Sequence, residues 1–211
     1  MRLLLGLLFL ALAACGRPMT QMEEQFAKDV FGPTLDTSKV VVGQGAGLRP
    51  PMKTRVSKVV TVHGTERSCI RTPQPGRVYA PTKAFAFKNK VHFDTGLYSS
   101  DMVLDWPNRL RLPQALIFAH ELTHVWQWQN RARTGYTPWR AAAESLRLAD
   151  PYFAPPGAAA FFSFGYEQQA AIVEDYLCFA FANPHHPRRY ELREILAPVF
   201  PVDVIDARVG Q

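Results

Sequence analysis

Hydrophobic and polar positions divide the chain into an early strand-forming part and a later helix-forming part. Short runs rich in valine, phenylalanine and alanine predict strands at 39–42, 56–62, 84–87 and 91–93. A polar segment from Lys88 to Lys90 separates the last two runs and predicts a hairpin. A short helix within 16–31 is expected before the strands, and it ends ahead of Gly32 and Pro33.

From residue 112 the pattern changes to long helical segments. Helices are predicted at 112–134, 139–148, 159–182 and 188–196. Pro113 is well placed in the first turn of the first of them, and Gly135 follows its end. Strands that come first and helices that follow indicate an α+β fold, with a small mixed sheet followed by a helical part. We expect 15–211 to form one domain, because no repeat or low-complexity linker divides it.

The composition fits a folded domain, and an export signal precedes that domain. The chain has 211 residues, of which 47% are hydrophobic and 20% charged, and these values argue against disorder and coiled coil. Residues 3–12 are apolar but too few to span a bilayer, which takes about 20 residues. With Arg2 before them and small residues after them, they predict a cleaved signal peptide over 1–14.

The cleavage site predicts a lipid anchor. Leu12-Ala13-Ala14-Cys15 resembles the lipobox of bacterial lipoproteins, in which the cysteine is lipidated and becomes the first residue. Gly16 then implies, by the same resemblance, an outer-membrane lipoprotein that faces the periplasm and is attached to the membrane through Cys15. An ordinary signal peptide beside an unrelated cysteine is the alternative. Because the chain is expected to be exported, we expect no nucleic-acid partner.

Two further cysteines are expected in the exported part. Cys69 and Cys178 form an even pair in an oxidising compartment, which favours a disulfide. Two buried thiols that pack as small hydrophobic groups are the alternative. The spacing alone favours the disulfide only slightly.

The candidate chemistry lies on the first long helix. His120-Glu121-Leu122-Thr123-His124 is an H-E-x-x-H motif, and its two histidines stand one turn apart on the same helix face. Both imidazoles can therefore reach one metal ion, and Glu121 lies off that line as the candidate general base. The apolar run 115–119 places this helix in the core, where two histidines need hydrogen-bond partners or a metal.

A catalytic zinc site takes a third protein ligand. Gln127 and Asn130 stand where a metzincin has glycine and histidine, which excludes that class. Glu167 opens the sequence Glu-Gln-Gln-Ala on a later helix, and this pairing of H-E-x-x-H with E-x-x-A resembles the gluzincin zinc metallopeptidases. The run from His120 to Gln127 is also similar to the H-E-L-x-H-V-x-Q core of small bacterial metallopeptidase-like domains, including ones found near contractile injection and type VI secretion genes.

The gluzincin resemblance implies a zincin-like arrangement, in which the H-E-x-x-H helix packs on a second ligand-bearing helix. It also implies one zinc ion per chain, bound by His120, His124 and Glu167. The class has an aspartate at the position of Ala171, where it orients the first histidine. Glu174 is the candidate for this role here, although about 10.5 Å along the helix from Glu167 is long for a direct contact.

Other residues stay open as the third ligand. Glu174 could bind the metal in place of Glu167, and His185 or His186 is a further alternative. The last two lie in a proline-bounded turn, where an exposed pair of ordinary histidines is the simpler interpretation.

The expected function is that of a zinc-dependent endopeptidase that hydrolyses a protein or peptide substrate in the cell envelope. Tyr166 is the candidate hydrogen-bond donor to the developing oxyanion, with Tyr136 and Tyr152 as alternatives. The gluzincin resemblance also implies a strand edge that holds the peptide substrate in extended form, and the segment 91–94 is the candidate for it. A catalytically silent binding or assembly module in the periplasm is the main alternative, and an amidase for peptidoglycan stem peptides is a weaker one.

Overall fold

The computed structural model describes residues 16–45, 69–71, 83–147, 150–157 and 159–209. The signal segment 1–14, Cys15 and the predicted strand 56–62 lie outside these residues. Within them, the chain forms a four-stranded mixed sheet and seven α-helices, which confirms the α+β fold class. No helix in the described part of the chain is both long and apolar enough to cross a membrane.

The sheet is assembled from segments far apart in sequence. Its strands are β1 (Gly16–Pro18), β2 (Val41–Gln44), β3 (Ala84–Phe87) and β4 (Lys90–Phe93), arranged in the order β1-β2-β4-β3. β3 and β4 form the predicted antiparallel hairpin, while β2 pairs in parallel with β4 on its other side. β4 is therefore an interior strand and β3 is an edge of the described sheet. The expectation of an edge at 91–94 was wrong, because β2 pairs with β4 on the side away from β3.

The helices follow the predicted order with three differences. They are α1 (Gln21–Phe31), α2 (Gln114–Gln129), α3 (Arg131–Thr134), α4 (Pro138–Arg147), α5 (Tyr166–Ala182), α6 (Pro187–Leu196) and α7 (Val202–Val209). The predicted helix 112–134 is divided at Asn130 into α2 and α3. The predicted helix 159–182 begins only at Tyr166, because Phe161–Ser163 forms a 3-10 turn and Gly165 takes an extended N-cap conformation. α7 was not predicted.

α2 lies at the centre of the molecule, between the sheet and α5. Phe118, Leu122 and Val125 on this helix are completely buried, and Phe118 packs against Phe93 of β4. This surrounding core explains why the sequence before the H-E-x-x-H motif is apolar on nearly every side. The polar side chains of α2 therefore face the interior, where each needs a partner or a function.

A disulfide joins Cys69 to Cys178 on α5, with the two Cα atoms 5.5 Å apart. Both cysteines are buried. Of the two alternatives that the spacing left open, the structure thus contains the bridge. Such a bridge over about 100 residues is worth about 4.7 kcal/mol in the chain-entropy account.

Candidate metal centre

Three side chains with metal-binding atoms meet between α2 and α5. His120 Nε2 lies 3.1 Å from Glu167 Oε2, and His124 Nε2 lies 3.2 Å from the same oxygen. The donor atoms of these three residues all lie within 4.8 Å of one another, so the group could hold a metal ion. The two histidines and Glu167 are the ligand set that the sequence predicted.

The packing of the two helices explains why these residues meet. Ala170 and Ala171 of α5 are completely buried, and their small side chains let α5 approach α2 closely. The pairs His124–Glu167 and His120–Glu174 show that the two helices run antiparallel. Glu167 lies in the first turn of α5, where the positive end of the helix dipole favours a carboxylate.

Glu121 is buried beside the three donor residues, and its carboxylate is not part of their contacts with Glu167 Oε2. Its Oε2 has no hydrogen-bond partner in the described structure, and the residue is only 6% exposed. Burial raises the pKa of Glu121, while the neighbouring His120 and His124 oppose that shift. A buried carboxylate oxygen without a partner is costly for folding, so Glu121 Oε2 adds no hydrogen bond to the stability of the described structure.

Glu174 reaches His120 directly, contrary to the expectation based on its position along the helix. Its Oε2 lies 3.2 Å from His120 Nδ1, the ring nitrogen that faces away from Glu167. The imidazole itself covers part of the distance, and the antiparallel packing brings His120 level with the later turn of α5. Glu174 therefore orients the His120 ring, a role that Ala171 cannot take because its side chain has no polar atom.

Arg71 is a neighbour of the centre that no sequence pattern indicated. Its Nη2 lies 2.6 Å from Glu174 Oε2, and its Nε donates to Asp175 Oδ1 at 2.6 Å. Burial raises the pKa of Asp175 to about 6, although Arg71 acts in the opposite direction. Glu174 differs, because its contacts with His120 and Arg71 outweigh burial and lower its pKa.

A chain of side-chain amides supports the second histidine. His124 Nδ1 lies 2.9 Å from Gln127 Oε1, and Gln127 Nε2 donates to the Tyr166 carbonyl at 3.0 Å and to Gln169 Oε1 at 2.9 Å. Gln169 Nε2 in turn donates to the Phe164 carbonyl at 2.8 Å. The sequence analysis assigned no role to either glutamine, although Gln127 belongs to the motif that carried the resemblance.

The electrostatics of the group favour a positive charge at its centre. Burial lowers the pKa of His120, but contacts with Glu167 and Glu174 outweigh burial and raise it to about 10. Burial raises the pKa of Glu167, yet His124 and His120 hold it well below its ordinary value. The two carboxylates thus retain their negative charge and stabilise a cation between the helices, which is the role that a metal ion would take.

The centre opens into a cavity of about 530 Å³. Its floor is formed by the three donor residues and Glu121, one wall by Ala84, Phe85 and Ala86 of the edge strand β3, and another by α4 through Pro138, Ala141, Ala142 and Ser145. Lys83 and Arg71 add positive charge at its border. The cavity therefore places an open strand edge beside the candidate metal centre.

Two tyrosines lie in the cavity, and neither is the one that the sequence favoured. The ring of Tyr152 is 5.8 Å from that of His120, and the ring of Tyr136 is 6.0 Å from that of His124. Both line the cavity, and burial raises the pKa of both, so their hydroxyls stay protonated. The Tyr166 hydroxyl instead donates to the Thr134 carbonyl at 3.4 Å, and Tyr166 is not among the described residues that line the cavity.

The histidine pair after α5 has a structural role. His186 is the N-cap of α6, where its Nδ1 accepts a hydrogen bond from Arg188 N at 3.1 Å, and its ring stacks on Phe179. Neither His185 nor His186 belongs to the donor group between α2 and α5. This agrees with the simpler interpretation of the pair.

No protein-family model and no curated protein sequence matches the chain. The fold is similar to the solved structure of the effector domain of Pseudomonas aeruginosa VgrG2b, with a TM-score of 0.50 and 24% sequence identity. The alignment covers 87% of this chain and 83% of that one. At this level of identity the similarity shows that the two chains share a fold.

Proposed function

We propose that the chain is a zinc-dependent endopeptidase of the cell envelope. The observation that carries this proposal is the convergence of His120, His124 and Glu167 on one point, beside the buried and unpaired carboxylate oxygen of Glu121. A purely structural metal site has no need for such a carboxylate. Hydrolysis does need it, because water must lose a proton as it attacks.

The donor set fits zinc better than a hard cation. Two imidazole nitrogens and one carboxylate oxygen are typical of catalytic zinc, while calcium and magnesium prefer oxygen ligands. A zinc ion at this centre would act as a Lewis acid that polarises a peptide carbonyl and makes water acidic near neutral pH. The orienting contacts of His120 with Glu174 and of His124 with Gln127 complete a site of this kind.

The residues of the cavity have separate roles in the proposed reaction. Glu121 accepts the proton of the attacking water and later delivers it to the leaving amine. Its burial and raised pKa suit both steps, because the carboxyl must be able to hold the proton in between. The hydroxyl of Tyr136 or Tyr152 donates to the oxygen on which negative charge develops.

The substrate is an extended peptide. β3 has hydrogen bonds to β4 on one side, and its other side faces no strand in the described sheet, so a peptide can pair with it next to the centre. The export signal and Cys15 place this activity in the periplasm at the outer membrane in our proposal. Replacing Cys15 by Ser is expected to release the processed protein from membranes; retention after a high-salt wash would contradict lipidation.

The proposal is tested with the zinc-loaded protein, the chelated protein and Glu121→Gln at equal zinc content. We expect wild type to cleave an unfolded protein such as casein, chelation to stop cleavage and added zinc to restore it. Glu121→Gln should bind zinc normally and lose about 10²–10⁴-fold in rate, because proton transfer is lost. Glu194→Gln, an exposed change on α6, is the control and should cleave like wild type. Zinc binding without any cleavage by wild type would favour the assembly module.

A second set of variants identifies the oxyanion donor. Tyr136→Phe and Tyr152→Phe are compared with Tyr166→Phe, whose hydroxyl bonds to the Thr134 carbonyl. Loss of a catalytic donor typically lowers kcat about 10²–10³-fold, and we expect this for one of the two cavity tyrosines. Tyr166→Phe should keep the wild-type kcat. A loss in Tyr166→Phe as large as in the other two would contradict the assignment.

A further inference from the structure

The Cys69–Cys178 disulfide joins residues 69–71 to the helix that carries the third metal-binding residue. Cys178 lies four residues after Glu174 on α5, so the two side chains emerge one turn apart on the same face. The bridge holds the Cα atoms of Cys69 and Cys178 5.5 Å apart. Arg71, two residues beyond Cys69, is thereby held beside the Glu174 turn of α5.

Arg71 uses this position to contact two neighbouring carboxylates. Its guanidinium lies 2.6 Å from Glu174 Oε2 and 2.6 Å from Asp175 Oδ1. The same Glu174 oxygen is 3.2 Å from His120 Nδ1. One carboxylate oxygen is therefore shared between the guanidinium and the imidazole of a candidate metal ligand.

We propose that Arg71 is a positioning residue for the metal centre and that the Cys69–Cys178 disulfide delivers it, so that the centre is complete only in the oxidised chain. This inference rests on the proposed zinc site at His120, His124 and Glu167. It goes beyond that site by making metal affinity depend on a bond outside it.

The physical reason is the crowding of carboxylates around Glu174. Asp175 follows it directly, and Glu167 and Glu121 line the same cavity, so an unpaired Glu174 would be repelled from every side. A planar guanidinium with several donors can hold Glu174 and Asp175 at once. Without Arg71, Glu174 would turn away from these carboxylates, and His120 would lose the partner that fixes its ring.

A merely structural role for Arg71 predicts a different result. In that case the guanidinium only neutralises the buried Asp175, and its loss lowers thermal stability without changing the metal site. Arg208 provides the matched control, because it pairs with buried Asp29 at 3.3 Å and its side chain is 32% exposed, against 30% for Arg71. Arg208 pairs with one buried carboxylate, whose contacts in the described structure include no metal-binding residue, whereas Arg71 pairs with two carboxylates, one of which contacts His120.

The first experiment measures zinc affinity of the full oxidised chain by competition with a chromophoric chelator. Arg71→Gln is expected to weaken zinc binding by about 10–100-fold, the usual effect of losing an outer partner of a metal ligand. The visible spectrum of the cobalt-substituted protein should change as well, because it reports ligand geometry. Arg208→Gln should lower the melting temperature and leave the affinity and the cobalt spectrum unchanged.

The second experiment tests delivery by the disulfide. The Cys69→Ser/Cys178→Ser variant should show the same loss of zinc affinity as Arg71→Gln. Adding Arg71→Gln to that variant should cause little further loss, because Arg71 is then no longer held in place. Additive losses would overturn the disulfide part, and wild-type affinity in the serine variant would overturn it outright.

The outcomes separate this inference from the proposed peptidase. Zinc binding that is equal in wild type and Arg71→Gln overturns the positioning role while peptidase activity stands. Weakened zinc binding in Arg71→Gln together with an inactive wild type supports the positioning role and contradicts the peptidase. If Arg71→Gln does not fold, Arg71→Lys replaces it: the charge is kept and the fork geometry is lost, so an intermediate affinity is expected and wild-type affinity overturns the role. A wild type that binds no zinc overturns both.

Discussion

Glu23 and Glu121 are buried glutamates on two helices of the same core, and their surroundings differ completely. Each carboxylate oxygen of Glu23 accepts two hydrogen bonds, from Arg17 and Thr20 N on one side and from Arg17 and Met102 N on the other. Glu121 has an oxygen with no partner and faces a cavity. Burial alone does not distinguish these two residues; the number of satisfied acceptors does.

The same contrast extends to the charges around the two residues. Glu23 is paired with one arginine and completes the capping box of α1 with Thr20. Glu121 lies within a set of carboxylates and imidazoles whose charges perturb one another. The first arrangement fixes the start of a helix on the core, and the second lies beside a group of side chains that could hold a metal ion.

Among the single substitutions, the largest expected effect on stability is at the satisfied glutamate. Glu23→Gln should lower the free energy of unfolding by about 3 kcal/mol, near the lower end for breaking a buried pair, because Arg17 is 23% exposed. Denaturant unfolding measures the change, and zinc affinity at a temperature where the variant is folded should equal that of wild type. A stability loss under about 1 kcal/mol would show that the charge of Glu23 contributes little to the stability of the fold.

Metal binding should stabilise the chain through the site beside Glu121 and should not depend on Glu23. At a zinc concentration about 100 times Kd, the wild-type chain should gain about 2.7 kcal/mol over the chelated chain. Glu167→Ala should lose most of this gain, while Glu23→Gln should keep it in full. Melting curves with and without zinc provide the measurement. An equal gain in Glu167→Ala would place the third ligand elsewhere.

The free energy of unfolding of the metal-free chain should also depend on pH. The pKa of His120 is raised from 6.5 to about 10 in the folded state, so its contribution is fully present below pH 6.5 and is lost as pH rises towards 10. One proton corresponds to about 1.4 kcal/mol per pH unit within that window. Unfolding in chelator between pH 6.5 and 9.5 measures the slope, and His120→Gln should flatten it. If the slope is unchanged in His120→Gln, the pH dependence of stability comes from another titratable group.

The smallest expected effect is the stability change in Glu121→Gln. Because the Glu121 carboxylate has an unpaired oxygen in a buried position, a neutral amide should change the free energy of unfolding by less than about 1 kcal/mol, in the stabilising direction. Chelated protein at pH 8 is the appropriate sample, since metal then does not contribute. A loss as large as that of Glu23→Gln would show that Glu121 has a structural partner after all.

Local patterns predicted the elements of the fold better than their arrangement. The hairpin at 84–93 and the helix of the H-E-x-x-H motif follow from periodicity and turn residues. The identity of the edge strand does not, because β2 comes from residues 41–44 and inserts beside β4. α7 was missed for another reason: eight residues give too little periodicity to distinguish a helix from a loop.

The metal-binding residues were predicted from residue types and spacing, while their supporting contacts were not. H-E-x-x-H fixes two histidines by helix geometry, and the resemblance supplied Glu167. Glu174 was expected to be too distant, because spacing along one helix does not show how a second helix runs beside it. No local pattern indicated Arg71, because its contact with Asp175 joins positions 104 residues apart.

The hydrogen bonds of Gln127 determine where the proton on His124 lies. The amide oxygen of Gln127 can only accept, so the His124 Nδ1 beside it must carry the proton and Nε2 keeps its lone pair. The amide cannot flip, because its nitrogen donates to the Tyr166 carbonyl and to Gln169, whose own nitrogen donates to the Phe164 carbonyl. A peptide carbonyl just before α5 thus selects, in the neutral ring, the imidazole tautomer whose Nε2 could bind a metal ion at the candidate centre.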